Sequence, residues 1–322
     1  MNIVSTLRLA VCGVLLSSLQ AQVLDYGHEA SLLDNMLCRG EYAHALQLAK
    51  RDLLRVDRDN ALLVPYVGAL LIDTGNLRDA ERILNSGNLK PPSPEPLPLL
   101  VLSRERAALL LARGEYKLSA AAAMKAYRIA MQESAYKSRQ GYAASIAAEA
   151  LLRSGDLTRA REFAGLALNA VPKRPKKASF FIPRVLYTAC LVESYGPSPE
   201  RAEPICLRGL SFAEQPSKPT RDLSLAYLTL AEIRFKNREF EASRAAANQS
   251  LLLTNALFGS LHQDAIKALE ILSRLDAAEG KQVQAQKRAG TALKLATNLF
   301  GANSPRVSEL SRILDPDSSR NH

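Results

Sequence analysis

The sequence predicts an all-α protein, a right-handed α-solenoid of about seven antiparallel helix pairs, on the strength of its composition and of one recurring turn. Ala and Leu dominate, Trp is absent and aromatics make up 6% of the chain. Runs such as Ala107-Ala108-Leu109-Leu110-Leu111-Ala112 and Ser119-Ala120-Ala121-Ala122-Ala123 favour helix over strand, because β-branched and aromatic residues are scarce in them. The turn is Arg39-Gly40-Glu41-Tyr42, and it returns as Thr74-Gly75-Asn76-Leu77, Arg113-Gly114-Glu115-Tyr116 and Ser154-Gly155-Asp156-Leu157. In each, a helix ends, Gly permits the left-handed backbone that closes it, and an apolar residue two positions on starts the next helix. The same spacing continues to Gly196, to Arg238 in place of Gly, and to Gly280, with intervals of 35, 39, 41, 41, 42 and 42 residues.

Other positions keep step with these turns. Five residues after the turn stands a small residue: Ala45, Ala80, Ser119, Ala160, Ser243 and Ala285, with Ala202 at six because the Gly196-Pro197-Ser198-Pro199 turn carries one extra residue. Seven before it stand Gly68, Ala107, Ala148, Ala189, Ala231 and Ser273, with Leu33 the exception. Small residues on facing helices allow close backbone approach, so each unit is expected to be a tight antiparallel pair. The units run over 25–58, 60–91, 96–133, 135–172, 178–215, 220–259 and 263–302, followed by a capping helix at 304–314 and a polar tail at 315–322. Proline-bearing linkers fit these bounds: Lys90-Pro91-Pro92-Ser93-Pro94-Glu95-Pro96, Val171-Pro172-Lys173-Arg174-Pro175, and the pair Pro216 and Pro219.

The small residue early in the first helix, the Gly-x-Tyr/Leu turn, the Ala of the second helix and the terminal prolines Pro92 and Pro172 resemble the tetratricopeptide repeat family, over roughly residues 25 to 313. The family's Trp is missing throughout, and the later units exceed the usual 34 residues. Leu257-Phe258-Gly259 and Leu299-Phe300-Gly301 lie 42 apart, and the last two units are similar to the longer repeats of kinesin light chains. The resemblance implies that the first helix of each unit lines a concave face on which a partner polypeptide lies.

The first 21 residues form a separate unit of meaning. A single cation, Arg8, precedes the uncharged stretch Leu9-Ala10-Val11-Cys12-Gly13-Val14-Leu15-Leu16 and then Ser17-Ser18-Leu19-Gln20-Ala21, the layout of a secretory signal peptide cleaved after Ala21. The competing readings are a buried helix or a retained anchor, for which about a dozen apolar residues are short. Export to the periplasm or beyond is therefore expected, with no integral span after cleavage. Cys38, Cys190 and Cys206 would remain. Cys190 lies six residues before Gly196 and Cys206 ten after it, opposite one another across one hairpin. Two readings stand side by side: a disulfide, conditional on an oxidising compartment, and two small buried thiols in a tight pair.

Chemistry is sparse. His28, His44, His262 and His322 are far apart, no metal spacing is present, and neither a Gly-x-Ser-x-Gly elbow nor a phosphate-cradling or dinucleotide-binding glycine loop occurs, so neither metal nor cofactor nor enzyme activity is expected. Counting inward positions from the turns nominates Tyr66, Arg104, Glu149, Arg153, Tyr187, Tyr195, Lys236 and Arg274 as the partner-binding groove, since Tyr and Arg combine large contact area with polar tips. The Asn that a two-carboxylate clamp needs beside its Lys is absent, which argues against chaperone C-terminal tails as ligands. The net charge is +10, with one concentration at Lys173, Arg174, Lys176 and Lys177 plus Arg184. It gives the alternative function, a basic surface for nucleic acid, acidic polymer or lipid head groups. The cations do not recur per unit as a base-reading code requires, which disfavours nucleic acid. The leading expectation is a non-enzymatic scaffold that binds protein, of unknown partner and oligomeric state.

Overall fold

The computed structural model describes residues 36–37, 39–55, 63–85, 96–133, 136–172, 181–216 and 218–314. The signal-like segment, Cys38, the basic cluster 173–177 and the C-terminal tail lie outside them. Fourteen α-helices and one short 3-10 turn at Pro199–Arg201 follow one another, with no strand among the described residues. We number them α1 Tyr42–Arg55, α2 Leu63–Asp73, α3 Leu77–Leu84, α4 Pro96–Ala112, α5 Tyr116–Ala130, α6 Lys137–Arg153, α7 Leu157–Asn169, α8 Phe181–Glu193, α9 Ala202–Ala213, α10 Arg221–Lys236, α11 Phe240–Phe258, α12 Gln263–Ala278, α13 Gln282–Phe300 and α14 Pro305–Leu314. Even-numbered helices are the first (A) members of each pair and odd-numbered ones the second (B).

The repeated turn has one geometry. Gly40, Gly75, Gly114, Gly155 and Gly280 all have φ between 70° and 89°, and Arg238, which replaces glycine, is forced to φ 64°. In every one of these turns the amide just after the left-handed residue closes a six-residue ring onto a helix carbonyl, for example Asn76 N–H to Leu71 O at 2.7 Å and Glu239 N–H to Arg234 O at 2.9 Å. That bond and the left-handed residue are the Schellman ending, which satisfies carbonyls a helix terminus would leave orphaned. The Gly196 turn, with its extra residue, does not have the positive φ of the others and relies on Gly196 N–H to Glu193 O at 2.8 Å.

The phased small residues meet inside each hairpin. A Cβ on Gly68 would lie 2.5 Å from a Leu84 methyl. In three units a serine at one phased position bonds the carbonyl at the other: Ser119 to Ala107, Ser243 to Ala231 and Ser273 to Ala285, at 2.7–2.8 Å. A hydroxyl that close to a facing backbone requires a small partner, which ties the two sequence positions together. Between α8 and α9, Cys190 and Cys206 are joined as a disulfide with Cα atoms 5.4 Å apart. Both sulfurs sit in the core, so this hairpin is covalently closed from within.

The pairs coil far enough for the ends to meet. The turn at Gly40 abuts Pro219 before α10, the turn at Gly75 abuts His262 before α12, and the turn at Gly114 abuts Arg306 of α14. Each early unit thus touches the unit five further on, so one turn of the superhelix closes on itself along a seam. At the seam Tyr42 packs edge-on against Phe258 at 4.9 Å, and its hydroxyl accepts from the Arg221 amide at 2.8 Å. His262 Nδ1 accepts from Asp264 N–H and so caps α12, leaving Nε2–H to donate to Asp73 O at 3.1 Å. Burial holds this imidazole below its ordinary pKa, in keeping with the neutral ring those two bonds need.

Candidate functional site: a cavity inside the closed solenoid

Closure turns the concave face into a cavity of about 230 Å³. All seven described A helices contribute to its lining, and of the described B helices only α5, through Tyr116. The period of the helix dictates this: each A helix presents one face inward, and its neighbours rotate that face around a common centre. The walls are apolar where Ile72, Leu111, Ile146, Leu191, Leu225 and Leu228 stand, and ionic on two sides.

The first ionic side is the seam. Asp73 at the end of α2 receives Arg184 Nη2 at 2.8 Å and Arg221 Nη1 at 2.5 Å. Arg221 also pairs with both oxygens of Asp264 at 2.8 and 3.0 Å, and Arg184 reaches Asp222 at 2.8 Å and the Tyr142 hydroxyl at 2.6 Å. Burial alone would raise the Asp73 and Asp264 carboxyls, but the facing guanidiniums hold both below the usual carboxylate range. Asp222 goes the other way, raised because its burial outweighs the single Arg184 contact. Beside them Arg104 lies over the Tyr142 ring at 4.9 Å and bonds Glu105 at 2.6 Å.

The second side is a chain of charges across α6, α10, α12 and α14. Arg153 grips Glu232 through two bonds of 3.1 and 3.2 Å, and Lys267 stands 3.8 Å from Glu232 and 3.5 Å from Glu270. Arg306 joins Glu270 at 2.8 Å and Glu309 at 2.9 Å, and Tyr116 closes the chain by donating to Glu309 at 2.6 Å. Against the cost of burial, Arg153 and Lys267 hold the Glu232 carboxyl far below its ordinary value. Burial and the nearby Arg153 charge push the Lys267 ammonium below its own.

Of the sequence-nominated groove residues, Glu149, Arg153 and Tyr187 line the cavity. Tyr195 and Lys236 do not line it: the Tyr195 hydroxyl lies 3.4 Å from Glu232, and Lys236 Nζ lies 3.2 Å over the Tyr195 ring and bonds Ser194 O. Three further nominations need correction. Arg104 is consumed by Glu105 and Tyr142, Tyr66 packs against the hydrophobic core of the first units, and Arg274 lies over the Phe235 ring at 4.4 Å. Counting positions from the turn does not resolve the few tens of degrees of helix rotation that separate an inward residue from one wedged between helices. Tyr187, although at the cavity wall, is itself a buried core residue whose hydroxyl donates to Gly209 O at 3.1 Å. Arg184 is also corrected: expected with the basic cluster, it points inward and is fully paired.

Sequence counting missed Asp73, Arg221, Asp264, Gln263, Lys267 and Arg306. A signal existed for three of them: Arg221, Asp264 and Arg306 recur at intervals of 43 and 42 in the first turn of α10, α12 and α14. Among the described residues no cluster of His, Cys, Asp or Glu is arranged to hold a metal ion, and no helix is long and apolar enough to cross a membrane.

No protein-family model matches the sequence, and no curated protein does. Solved structures do match. A Rap protein complexed with competence and sporulation factor has a TM-score of 0.64 at 13% identity, over 92% of this chain and 88% of that one. The Cut9 and Hcn1 hetero-tetramer of the APC/C gives 0.55 at 17% identity, over 89% of this chain and 48% of that one, so the chain spans about half its length. A tetratricopeptide repeat protein from Parabacteroides merdae gives 0.47 at 14% identity, covering 90% and 98%. With its A and B pairs, Schellman turns, small-residue contacts and inward A helices, the chain folds as a helical solenoid of the tetratricopeptide type.

Proposed function

We propose that the protein is an exported, non-enzymatic scaffold that holds a segment of a partner polypeptide at the cavity. The observation that carries this reading is the convergence of the seven described A helices on one apolar-walled space with polar groups set into it, the usual form of a ligand site. A catalytic role finds less support, because the ionisable groups around the cavity are spent on each other and not poised as a nucleophile and base. A Rap protein of the same fold is found complexed with competence and sporulation factor, which favours a binding role on a shared architecture. Export is supported by the layout of residues 1–21 and by a disulfide, which persists in oxidising compartments.

Thr229 lines the cavity wall, and its replacement by Phe fills the space from α10 without removing an ionic partner. Cross-linking in the native host should recover the same partner from wild type and lose it from Thr229→Phe at unchanged helicity. Equal recovery from both would refute the cavity as the binding face. Intact-mass analysis of the exported protein should show a chain beginning after Ala21, with Cys190 and Cys206 blocked from alkylation until reduced. A chain retaining residues 1–21 inside the cell would refute export.

A further inference from the structure

A second recess lies away from the cavity, between α7 and α9, the B helices of neighbouring pairs. On the outside of a coil such helices are drawn apart by its curvature, and the A helix between them shows through. Here the buried Leu186 of α8 forms the floor, Leu168 and Val171 stand on the α7 side, and Ile205 stands on the α9 side. The volume is about 570 Å³, inside the ~300–1,000 Å³ span of ligand clefts. The disulfide from Cys206, next to Ile205, to Cys190 of α8 ties this wall to the floor whether or not anything fills the groove.

Charge there is one-sided. Lys137, the first residue of α6, and Arg208, three residues past Ile205 on α9, are exposed cations of the lining. Neither has an ion-pair partner among the described residues, and among those residues no carboxylate and no aromatic ring lines the groove. In the cavity, by contrast, Arg184, Arg221 and Arg306 are each held by a carboxylate at 2.8 Å. From Pro172 at the rim the sequence runs straight into Lys173-Arg174-Pro175-Lys176-Lys177. Five residues of chain reach at most about 18 Å, so four more cations are tethered to the same rim. Asn169, exposed in the lining, adds an amide able both to donate to and to accept from a peptide main chain.

An apolar trough under unpaired cations selects its occupant by chemistry. Nucleic acid would need rings on which to stack its bases, and the lining has none among the described residues. A lipid surface would need apolar side chains that project, whereas those of the groove are recessed between two helices. We propose that this groove docks an acidic segment of a partner polypeptide, its carboxylates meeting Lys137 and Arg208 and its aliphatic side chains resting on Leu168, Val171 and Ile205. The tethered cations hasten the encounter, and the trough fixes which residues of the segment seat. This surface is separate from the cavity and does not depend on what the cavity holds.

Fluorescence anisotropy of the full chain with a labelled six-residue peptide of alternating glutamate and leucine, at physiological ionic strength, tests this. Binding should be saturable, and at least tenfold weaker for the same peptide with glutamine for glutamate or with serine for leucine. Lys137→Glu and Arg208→Glu should each weaken it at least fivefold at native helicity, while Thr229→Phe in the cavity should leave it unchanged. Replacing Lys173, Arg174, Lys176 and Lys177 together by serine should weaken binding yet keep the preference for the leucine peptide over the serine one. Equal binding of those two peptides, indifference to both Lys137→Glu and Arg208→Glu, or loss of binding in Thr229→Phe overturns the proposal. A gain in affinity on replacing the basic run also overturns it, since the chain's own segment would then be filling the groove. Tighter capture of single-stranded DNA or of phosphatidylglycerol vesicles through Lys137 and Arg208 overturns it as well.

Discussion

Turns with one local chemistry serve two different purposes in this molecule. Gly40, Gly75 and Gly114 carry the same positive φ as Gly155 and Gly280, and all five end their helices by the same hydrogen bond. Around Gly155 and Gly280 nothing lies within 4 Å of where a Cβ would stand, whereas at Gly40 that atom would meet Pro219 O at 2.5 Å and at Gly75 the His262 ring at 2.9 Å. The first group closes the solenoid, and the second merely ends helices at its free edge. The difference teaches that a repeat can place identical motifs at positions of very unequal energetic weight, because the long-range partner is supplied by closure and not by the repeat itself.

The largest effect is expected at the ionic heart of the seam. Asp73→Asn leaves Arg184 and Arg221 each short of a carboxylate in a buried site, and unfolding free energy should fall by about 3 kcal/mol. Amides at the start of α12 should exchange faster as the seam opens, and unchanged exchange there would deny Asp73 its closing role. The same groups give the pH dependence its sign. Asp73 and Asp264 have folded pKa values below their unfolded ones, so their contribution is complete above the ordinary carboxylate range and is lost as pH falls through the depressed values. Asp222 opposes this, since its raised value makes its ionisation a cost that grows as pH rises. Glu105 is raised as well, so the carboxyls nearly cancel and the buried His262 decides the sign: its folded pKa lies below its unfolded one, its contribution is lost as pH falls below about 6.5, and seam exchange should accelerate on acidification, while high salt should shift it little because the pairs are buried.

Next in size is Gly40→Ala, which combines left-handed strain of about 1–2 kcal/mol with overpacking against a fixed carbonyl of about 1–3 kcal/mol. Gly155→Ala suffers the strain alone and should cost about 1 kcal/mol. Urea midpoints of the two variants measured side by side test the comparison directly, and equal losses would dissolve it. The smallest change is expected at Arg238, where φ is 64° and the segment is exposed. Arg238→Gly should raise stability by about 0.5 kcal/mol, relief of backbone strain being offset by the greater freedom of the unfolded glycine. A loss on that substitution would mean that the Arg238 side chain has a role beyond its turn.

Much of the scaffold was legible. The turn residues are local: a left-handed position and a Schellman bond depend on a handful of neighbours, and Arg238 was placed in its turn by register alone. The small-residue phases were legible for the same reason, since Ser119 and Ala107 must approach within a hydrogen bond in any tight hairpin. The site was read less well. Glu149 and Arg153 do face inward, but Arg104, counted into the groove, and Arg184, counted with the basic patch, are neutralised by Glu105, Asp73 and Asp222. Asp73 lies 111 residues from Arg184 and 148 from Arg221, and no local pattern connects them.

The sequence by itself determined the helix pairs, their ends and their tight packing, because these follow from short-range backbone preferences and side-chain size repeated at a steady period. Whether the coil would stay open as a groove or close into a cavity was decided only by the tertiary structure. Small rotations per unit accumulate over five units before Gly40, Gly75 and Gly114 find Pro219, His262 and Arg306. Only then do the buried charges of the two ends meet and neutralise one another.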